Sequence, residues 1–499
     1  MIIATQRPRE GSPSSLLQKI EETERTRRPA QWRHPSYQLA VFGARAATPS
    51  RPYYMIQEKD DNTTPWSTLH GESVRVFPAN GPLSADLTLP GSKSLTNRAL
   101  ILAAMSTGAS QLSGLLKSDD TYWCVDALTR LGAMIDFDGS SAVVHGIGRT
   151  RPKQGEIHVG SAGTVARFLP PLLAAGDKGS WRITASKQMT ERPIQPLFQA
   201  LIEGGAIVTF DGRPGCFPVT IEGGSFSGGR IRMSGAVSSQ FISGILMSGP
   251  QTRDGLILDI DGGIVQSEYV RITLDVMRRF GVTAESNAGF DHFQVSPGEY
   301  RPCSLEIEAD ASTATYFGAL AAVTAGRIRL TNLSETTRQP DYGFLGILER
   351  LGCRVDRTSR DTTIYGVKPL RGGFSVDMRP LSDSALTLAA IAPFADAPVT
   401  ITGVEHIRHH ESDRIQAICR SLAAVGVSVE EHADGLTIHP GAPNFARLDT
   451  FDDHRVAMAL TVLGAAGKGV ELLNPACVSK TCPTFFELVD SIGIRTEFT

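Results

Sequence analysis

The chain has 499 residues, of which 41% are hydrophobic and 20% charged, and its formal net charge is -3. This composition predicts a globular protein of two or three domains. The near-neutral charge argues against binding of nucleic acid or an anionic membrane through overall charge. The sequence also lacks the run of about 18 apolar residues that a membrane-spanning helix requires.

Cysteine usage indicates free thiols. The seven cysteines are odd in number and include no C-x-x-C pair. Both facts argue against a disulfide framework and against a cysteine-based zinc site. Free thiols are typical of a reducing compartment, so we expect a cytoplasmic protein.

Residues 1–72 differ in composition from the rest of the chain. They are rich in Arg, Pro, Ser, Gln and Thr and have little amphipathic periodicity. This pattern predicts a disordered or loosely attached extension. The segment has no apolar core of the kind a secretory signal needs, and its glutamates, such as Glu10 and Glu21, argue against a transit peptide.

An internal repeat of about seventy residues follows. Six segments carry an apolar helix pattern, then a glycine, then a short alternating run. The pattern predicts a helix closed by a left-handed glycine and followed by a strand. Six small α+β subdomains result, and the spacing is compatible with one array or with two groups of three. The glycines are 67 to 76 residues apart, at Gly132, Gly205, Gly281, Gly352, Gly426 and Gly493.

The first two motifs each combine a strand-like run, a turn of small residues and a helix start. Leu89–Arg98 places Lys93, Ser94 and Arg98 at such a start. His158–Arg167 has the same form, with glycines in its turn. Free backbone N–H groups and nearby cations suit an anion. An ordinary serine-capped helix would give the same local sequence.

Five later motifs carry arginine, lysine, hydroxyl and carboxylate side chains. Clustered histidines and acids are compatible with a metal site, but the interleaved cations favour anion binding, with carboxylates for proton transfer. We therefore expect several helix N-termini to converge on one cleft for small polyanions, and no metal. The motifs are Glu191–Ile194, Ser238–Gln240, His406–Arg414, Asp452–Met458 and Cys477–Pro483.

Taken in order, short motifs of this chain resemble a known family. They are Pro-Gly-Ser-Lys-Ser at 90–94, Ser-Ala-Gly-Thr at 161–164, Glu-Arg-Pro-Ile at 191–194, Ser-Ser-Gln at 238–240, Glu-Ser-Asp-Arg at 411–414, Asp-His-Arg at 453–455 and Ser-Lys-Thr at 479–481. The set is similar to that of the 5-enolpyruvylshikimate-3-phosphate synthases, which are enolpyruvyl transferases. The match extends over residues 73–499.

The resemblance implies an α/β fold built from α+β repeats. Two globular domains, each of three βαβαββ units, would enclose a cleft for the active site. The chain would cross between them near Pro90–Lys93 and Glu308–Ser312. The implied boundaries are an extension at 1–72, domain I at 73–91 plus 310–499, and domain II at 92–309.

The resemblance also implies an activity. Enzymes of this family transfer the enolpyruvyl group of phosphoenolpyruvate to the 5-hydroxyl of shikimate 3-phosphate. Phosphate is released by addition and elimination, in the shikimate pathway to chorismate and the aromatic amino acids. The implied protein is a monomer without metal or organic cofactor. Its partners are the two small substrates, and it binds neither nucleic acid nor a membrane.

Site residues follow from the resemblance, position by position. Asp383 would take the hydroxyl proton, and Glu411, aided by Lys93, would handle the methylene proton. Phosphoenolpyruvate would be bound by Lys93, Gly163, Arg192, Gln240, Arg414, Arg455 and Lys480. Shikimate 3-phosphate would be bound by Ser94, Arg98, Ser238, Ser239, Gln240, Tyr269, Asp383 and His410.

Three departures from the family pattern lie on the acceptor side. The segment Val265–Tyr269 is one residue shorter than the family pattern, which leaves the alignment of Ser267 open. His410 stands where many members have Lys, and His406 replaces a common Asn. The alternatives are therefore transfer to another small hydroxylated acceptor, or a non-catalytic binding protein of the same fold. Transfer to a UDP-amino sugar is disfavoured because that branch uses a mobile-loop cysteine, and this chain has none between Cys124 and Cys216.

Overall fold

One strand order recurs in every sheet. The computed structural model describes residues 64–499, so residues 1–63 of the predicted extension lie outside the described residues. Within the described part there are six four-stranded sheets. In each sheet the first two strands of a unit are parallel, and the others are antiparallel. The units therefore have the predicted βαβαββ form, with the spatial order first, second, fourth, third.

The strands are β1 (Ser73–Val76), β2 (Ser84–Leu87), β3 (Thr107–Ser113), β4 (Met134–Asp138), β5 (Ser141–Ile147), β6 (Gln154–His158), β7 (Gly179–Thr184), β8 (Ile207–Phe210), β9 (Val219–Gly223), β10 (Gly229–Ser234), β11 (Leu256–Asp261), β12 (Ala284–Ser286), β13 (His292–Val295), β14 (Ser304–Glu306), β15 (Arg327–Leu330), β16 (Arg354–Arg357), β17 (Thr362–Tyr365), β18 (Phe374–Asp377), β19 (Val399–Thr402), β20 (Val429–His432), β21 (Gly435–Ile438), β22 (Arg447–Leu448), β23 (Val470–Leu473) and β24 (Thr496–Phe498).

The α-helices are α1 (Lys93–Ala104), α2 (Asp119–Arg130), α3 (Gly163–Ala175), α4 (Lys187–Glu191), α5 (Gln195–Glu203), α6 (Ser239–Ser248), α7 (Ser267–Arg279), α8 (Ala311–Thr324), α9 (Phe344–Arg350), α10 (Ala385–Ile391), α11 (Arg414–Ala424), α12 (His454–Ala466) and α13 (Phe485–Ser491). Short 3-10 helices cover Gly249–Gln251, Pro340–Gly343, Arg379–Ser384, Ala392–Phe394, Glu405–His409 and Pro475–Lys480.

The six repeat glycines close helices as predicted. Their φ angles lie between 80° and 101°, a region that costs other residues energy. At Gly132 the following amide, Ala133 N–H, donates to the Leu128 carbonyl at 3.1 Å, which completes the helix C-terminus. Each glycine leads from a helix into an edge strand of its sheet: β4, β8, β12, β16, β20 or β24. The predicted helix–glycine–strand repeat is confirmed.

Three of the six units are completed by a strand distant in sequence. Strand β1 pairs with β23, β2 with β15, and β14 with β3. The two connections between the halves also pair with each other. Gly91 and Ala309 form an antiparallel bridge, and a Cβ atom at Gly91 would lie 1.7 Å from the Gly114 carbonyl oxygen. This crossing point therefore requires glycine.

Packing separates the units into two groups of three, a choice that the repeat spacing left open. One hydrophobic core contains residues from 74–89 and 309–494. We call the half of the molecule around this core lobe I. The other core contains residues from 99–307. We call the half of the molecule around it lobe II. In each lobe three inner helices are buried along nearly their whole length: α8, α10 and α12 in lobe I, and α1, α3 and α6 in lobe II. Helices that are apolar on every side belong in such an interior.

Within residues 64–499, the helices are all too short or too polar to cross a membrane.

Residues 64–67 contact lobe II before the chain enters lobe I at β1. The hydroxyls of Thr64 and Ser67 donate to Asp119 Oδ1 at 2.5 and 2.7 Å. The Trp66 ring lies 5.6 Å from that of Tyr122 and 4.9 Å from that of Phe137, centroid to centroid. The part of the predicted extension that is described is thus attached to the fold.

We expect Trp66→Ala to lower the free energy of unfolding by about 1–2 kcal/mol, since aromatic pairs contribute about 0.5–1.5 kcal/mol beyond their buried area. Urea unfolding followed by circular dichroism measures the change. Phe445→Ala removes an aromatic ring that is 45% exposed and is the control. Equal losses in the two variants would contradict the role given to Trp66.

Candidate active site

A cavity of about 430 Å³ lies between the lobes. Six helices, α1, α3, α6, α7, α11 and α12, contribute first-turn residues to its wall. Their free N–H groups and the positive ends of their dipoles therefore face one space. The predicted convergence of helix N-termini is present in the structure.

Charged side chains make this cavity electropositive. Seven basic residues line it against three acidic ones, so the wall has an excess of positive charge suited to a small polyanion. The basic residues are Lys93, Arg98, Arg167, Arg192, Arg408, Arg414 and Arg455, and the acidic ones are Asp383, Glu405 and Glu411.

Capping side chains fix where three of these helices begin. Ser238 Oγ accepts from the Gln240 amide at 3.3 Å, and Asp413 Oδ1 accepts from the Gln416 amide at 3.0 Å. Asp453 Oδ1 accepts from the Arg455 amide at 2.9 Å. A cap that accepts first-turn amides sets the helix start. The residues immediately after each cap are thereby directed at the cavity.

Arg414 is the centre of the charged network. Its side chain is 2% exposed, and its guanidinium binds three carboxylates. Nη1 donates to Asp383 Oδ1 at 3.1 Å, Nη2 to Glu411 Oε2 at 2.9 Å, and Nε to Asp453 Oδ2 at 2.8 Å. Because a guanidinium is planar and rigid, it fixes the relative positions of Asp383 and Glu411.

Three cations surround the Glu411 carboxylate. Besides Arg414, Arg192 Nη1 lies 3.4 Å and Lys480 Nζ 3.3 Å from Glu411 Oε1. Burial would raise the pKa of Glu411, but the charges of Arg192, Lys480 and Arg414 outweigh burial and hold this pKa well below its usual range. Glu411 is therefore ionised in the free protein, and its carboxylate is the negative charge that pairs with these three cations.

Asp383 precedes α10 and has its own pair of cations. Arg455 Nη2 donates to Asp383 Oδ2 at 2.9 Å, opposite the contact from Arg414. The Tyr269 hydroxyl lies 3.5 Å from the same oxygen. Burial would raise the pKa of Asp383, but Arg455 and Arg414 outweigh it and lower the pKa below its ordinary value. Asp383 is thus an ionised carboxylate able to accept a proton.

Lys93 lies on the lobe II side of the cavity, at the first residue of α1. Its Nζ is 3.3 Å from Asp120 Oδ2, and its amide donates to Asp310 Oδ2 at 3.1 Å. Asp310 caps α8 in lobe I by accepting from the Thr313 amide. The backbone at Lys93 is therefore tied to the opposite lobe.

Arg98 lines the cavity but directs its hydrogen bonds into the protein. Its Nε donates to Thr273 Oγ1 at 2.7 Å and its Nη1 to the Ser94 carbonyl at 2.9 Å. Burial lowers the pKa of Arg98 to about 10. In this arrangement Arg98 links Ser94 of α1 to α7, and it adds positive charge to the cavity wall.

Two histidines stand at two of the three departures from the family pattern. His410 Nδ1 lies 3.0 Å from Arg414 Nη1 and so accepts a hydrogen bond. Burial and the Arg414 charge lower the pKa of His410 well below its usual value. His406 Nε2 lies 2.8 Å from Ser382 Oγ, which also accepts from Gln266 Nε2 at 2.8 Å. His410 is therefore a neutral polar group where a Lys would be a cation.

The structure gathers the site residues predicted from the sequence. All of them line the cavity except Gly163 and Lys480. A Cβ atom at Gly163 would lie 3.1 Å from Arg167 Nη1 and 3.5 Å from Arg192 Nη1, so this glycine borders the cationic wall. Lys480 lies behind Glu411, where its Nζ also donates to the Ser161 carbonyl at 3.0 Å.

Comparison with known proteins gives the family. A family model described as EPSP synthase (3-phosphoshikimate 1-carboxyvinyltransferase) matches residues 78–489. A relative named 3-phosphoshikimate 1-carboxyvinyltransferase 2, from Halalkalibacterium halodurans, is 48% identical over 443 residues, which cover 88% of this chain and 99% of the relative. The chain belongs to the EPSP synthase family.

A further relative and a solved structure agree with the assignment of this chain to the EPSP synthase family. The chloroplastic 3-phosphoshikimate 1-carboxyvinyltransferase of Arabidopsis thaliana is 37% identical over 446 residues, covering 85% of this chain and 86% of the relative. The EPSP synthase structure from Acinetobacter baumannii has a TM-score of 0.72 at 23% identity, covering 85% of this chain and 99% of that one. The solved structure supports the two-domain α/β fold alone.

Several cavity residues of this EPSP synthase family member were not among the predicted site residues. Arg167 is the last residue of the motif His158–Arg167, and His454 lies inside the Asp-His-Arg motif, so both had a sequence signal. Gln266 and Arg408 line the cavity too, but neither lies in a motif shared with the family. Burial, together with the Arg192 charge, lowers the pKa of Arg167 to about 9.

His454 predicts an acid-sensitive contribution to stability. It is 1% exposed, and burial lowers its pKa well below the ordinary value. The unfolded chain therefore binds a proton near pH 6.5 that the folded chain does not. Its contribution to stability is present above that pH and is lost as the pH falls, by up to about 1.4 kcal/mol per unit.

We expect the free energy of unfolding to fall between pH 7.5 and 5.5, and less steeply in His454→Asn. Urea titrations at both pH values measure the two slopes. His145→Asn makes the same change at an exposed histidine of strand β5 and is the control. A His454→Asn slope equal to that of the wild type would contradict the assignment.

Proposed function

We propose that this chain transfers the enolpyruvyl group of phosphoenolpyruvate to the 5-hydroxyl of shikimate 3-phosphate and releases phosphate. One observation carries the proposal: the buried Arg414 guanidinium holds two carboxylates, Asp383 and Glu411, on the wall of a cationic cavity. Such a site offers a base, an acid and a cage for anions. The names of the relatives support the two substrates.

The cationic wall on the Glu411 side would bind phosphoenolpyruvate. Two buried polar atoms there, Gln240 Oε1 and Arg192 Nε, find no hydrogen-bond partner among residues 64–499, and buried polar atoms normally have one. A bound anion and its water would supply partners. The proposed set is Lys93, Gly163, Arg192, Gln240, Arg414, Arg455 and Lys480.

The hydroxyl-rich side would bind shikimate 3-phosphate. Ser238 and Ser239 stand at the start of α6, where hydroxyl and amide donors suit a phosphate. Because His410 is neutral, it would contribute a hydrogen bond and no charge, which places more of the phosphate binding on the helix start. The proposed set is Ser94, Arg98, Ser238, Ser239, Gln240, Tyr269, Asp383 and His410.

The reaction would proceed in two balanced steps. In the first, the acceptor oxygen forms a bond to C2 of phosphoenolpyruvate while Asp383 takes its proton and Glu411, aided by Lys93, gives one to C3. In the second, the C2–O bond to phosphate breaks as the departing phosphate gains the proton held by Asp383, Glu411 recovers a proton from C3, and the double bond re-forms. The acid, the base and the cations are all side chains, so the steps need no cofactor.

Binding of phosphoenolpyruvate would favour the protonated form of Glu411, which is the form that gives a proton to C3. In the free protein Arg192, Lys480 and Arg414 hold its pKa low. A bound phosphoenolpyruvate would share the same three cations and add negative charge beside the carboxylate. Both changes raise the pKa of Glu411. The group would thus become an acid only when a substrate is present to receive the proton.

We also propose that domain I comprises residues 73–91 plus 310–499 and domain II residues 92–309. The two hydrophobic cores support these limits. One chain supplies every residue of the proposed site, which supports a monomer. Seven free cysteines support a cytoplasmic location. The partners would be the two small substrates, with neither nucleic acid nor a membrane.

Phosphate release by the purified chain tests the function. We expect release with phosphoenolpyruvate and shikimate 3-phosphate together and none with either substrate alone. The product should contain one enolpyruvyl ether, measured by mass spectrometry. Folded protein that releases no phosphate with both substrates would contradict the proposal and direct the search to other hydroxylated acceptors near His406 and His410.

A further inference from the structure

Asp341 is a second buried carboxylate behind the proposed base. It lies in the 3-10 helix Pro340–Gly343 of lobe I and is 2% exposed. Its Oδ1 accepts from the Ser384 hydroxyl at 2.5 Å, and its Oδ2 accepts from Ser312 at 2.7 Å and from Tyr269 at 2.9 Å. Three hydroxyl donors satisfy this carboxylate. Within residues 64–499 no cationic side chain forms an ion pair with it, and the nearby Arg455 pairs with Asp383.

The Tyr269 hydroxyl lies between the two carboxylates. It is 2.9 Å from Asp341 Oδ2 and 3.5 Å from Asp383 Oδ2. A phenol has one proton, and the shorter distance assigns that proton to Asp341. The lone pairs of the Tyr269 oxygen then face Asp383. The contact also crosses the cleft, because Tyr269 belongs to α7 of lobe II.

This geometry favours the protonated form of Asp383. While Asp383 is ionised, its oxygen faces the lone pairs of Tyr269. Once it holds the acceptor's proton, it can donate a hydrogen bond to the same oxygen, so Asp383, Tyr269 and Asp341 form a chain of donors and acceptors. The negative charge of Asp341 acts in the same direction and opposes Arg414 and Arg455, which favour the ionised form.

We propose that Asp341 is a positioning residue that holds the Tyr269 proton and thereby makes Asp383 a stronger base. The inference rests on the proposed function, because it assigns Asp383 to proton acceptance. No atom is transferred to Asp341. Its carboxylate stays ionised, and the proton removed from the acceptor hydroxyl stays on Asp383 until the phosphate leaves.

Burial and the nearby Asp383 charge raise the pKa of Asp341 above its ordinary value. Burial, followed by the charges of Asp341 and Asp383, also raises the pKa of Tyr269 well above its usual range. The raised pKa of Tyr269 agrees with a phenol that keeps its proton and shares it with Asp341.

Steady-state kinetics of Asp341→Asn, Tyr269→Phe and the double variant test the inference. Asn preserves the shape of Asp341 but removes its charge. We expect kcat to fall about 10- to 100-fold in Asp341→Asn, which is at or below the low end of the roughly 10²- to 10⁴-fold effect of a positioned acid or base. KM for both substrates should change less than about 3-fold. Asp361→Asn makes the same charge change at a distant carboxylate and should keep the wild-type kcat.

The double variant distinguishes a positioning role of Asp341 from a packing role. If Asp341 acts through Tyr269, the kcat of the double variant should be about equal to that of the slower single variant. Two independent effects that multiply would overturn the inference, as would wild-type kcat in Asp341→Asn or a rise in KM without a loss of kcat. The wild type is assayed in the same series, so an inactive wild type would count against the proposed function itself. Urea unfolding of each variant identifies a loss that comes from misfolding.

Discussion

Asp383→Asn should lower kcat by about 10²- to 10⁴-fold, the usual cost of losing a general base. The amide keeps the shape of the side chain but cannot take the acceptor's proton. The change also removes a negative charge from beside Arg414 and Arg455. Those two cations would then be freer to bind phosphoenolpyruvate, so we expect its KM to stay equal or to fall. Steady-state phosphate release measures both constants.

Glu411→Gln should lose kcat to a similar degree for a different reason, since it removes the acid that gives a proton to C3. Asp356→Asn is the control, because its carboxylate is 51% exposed and lies on strand β16. A kcat for Asp383→Asn within about 3-fold of the Asp356→Asn value would refute the assignment of the base. A large rise in the KM for phosphoenolpyruvate would instead indicate a binding role.

Arg414→Met should destabilise the protein by about 3–5 kcal/mol and abolish turnover. The guanidinium is buried with Asp383, Glu411 and Asp453 around it. Removing it leaves three buried carboxylates with one cation fewer, and breaking a buried pair in this way is strongly destabilising. The effect does not mean that the network contributes this much net stability, because desolvation opposes it.

Arg357→Met is the matched control for that experiment. Arg357 also binds a carboxylate, Glu349, with two hydrogen bonds of 2.7 and 2.8 Å. Both partners are partly exposed, so solvent weakens the pair, and we expect a loss of about 0.2–1 kcal/mol. Urea unfolding measures both variants. Similar losses for Arg414→Met and Arg357→Met would contradict the buried network as the source of stability.

Local sequence signals predicted the units of the fold but not their grouping. The repeat glycines predicted six helix–strand junctions because a left-handed residue after an apolar helix is a local requirement. The separation into two cores depends on contacts between distant strands, such as β2 with β15 and β14 with β3. No local pattern encodes which distant strand completes a sheet.

The residues of the candidate site also divide into those with a local sequence signal and those without one. Lys93, Arg192, Arg414 and Arg455 lie in short motifs with a local reason, a helix start beside small or capping residues, and so they were predicted. Asp341 and Gln266 were not, because each gains its role from a partner in the other lobe: Tyr269 for Asp341 and Ser382 for Gln266.

The sequence alone determined the repeat, the helix starts and the chemical character of the motifs, because each depends on residues within about one helix turn of one another. The tertiary structure decided that two lobes form, that their helix N-termini share one cavity, and that Arg414 joins Asp383 to Glu411. Those features depend on burial and on charges brought together from distant parts of the chain. Burial is also what makes the charges strong, because a low dielectric enlarges both their attraction and the cost of leaving one unpaired.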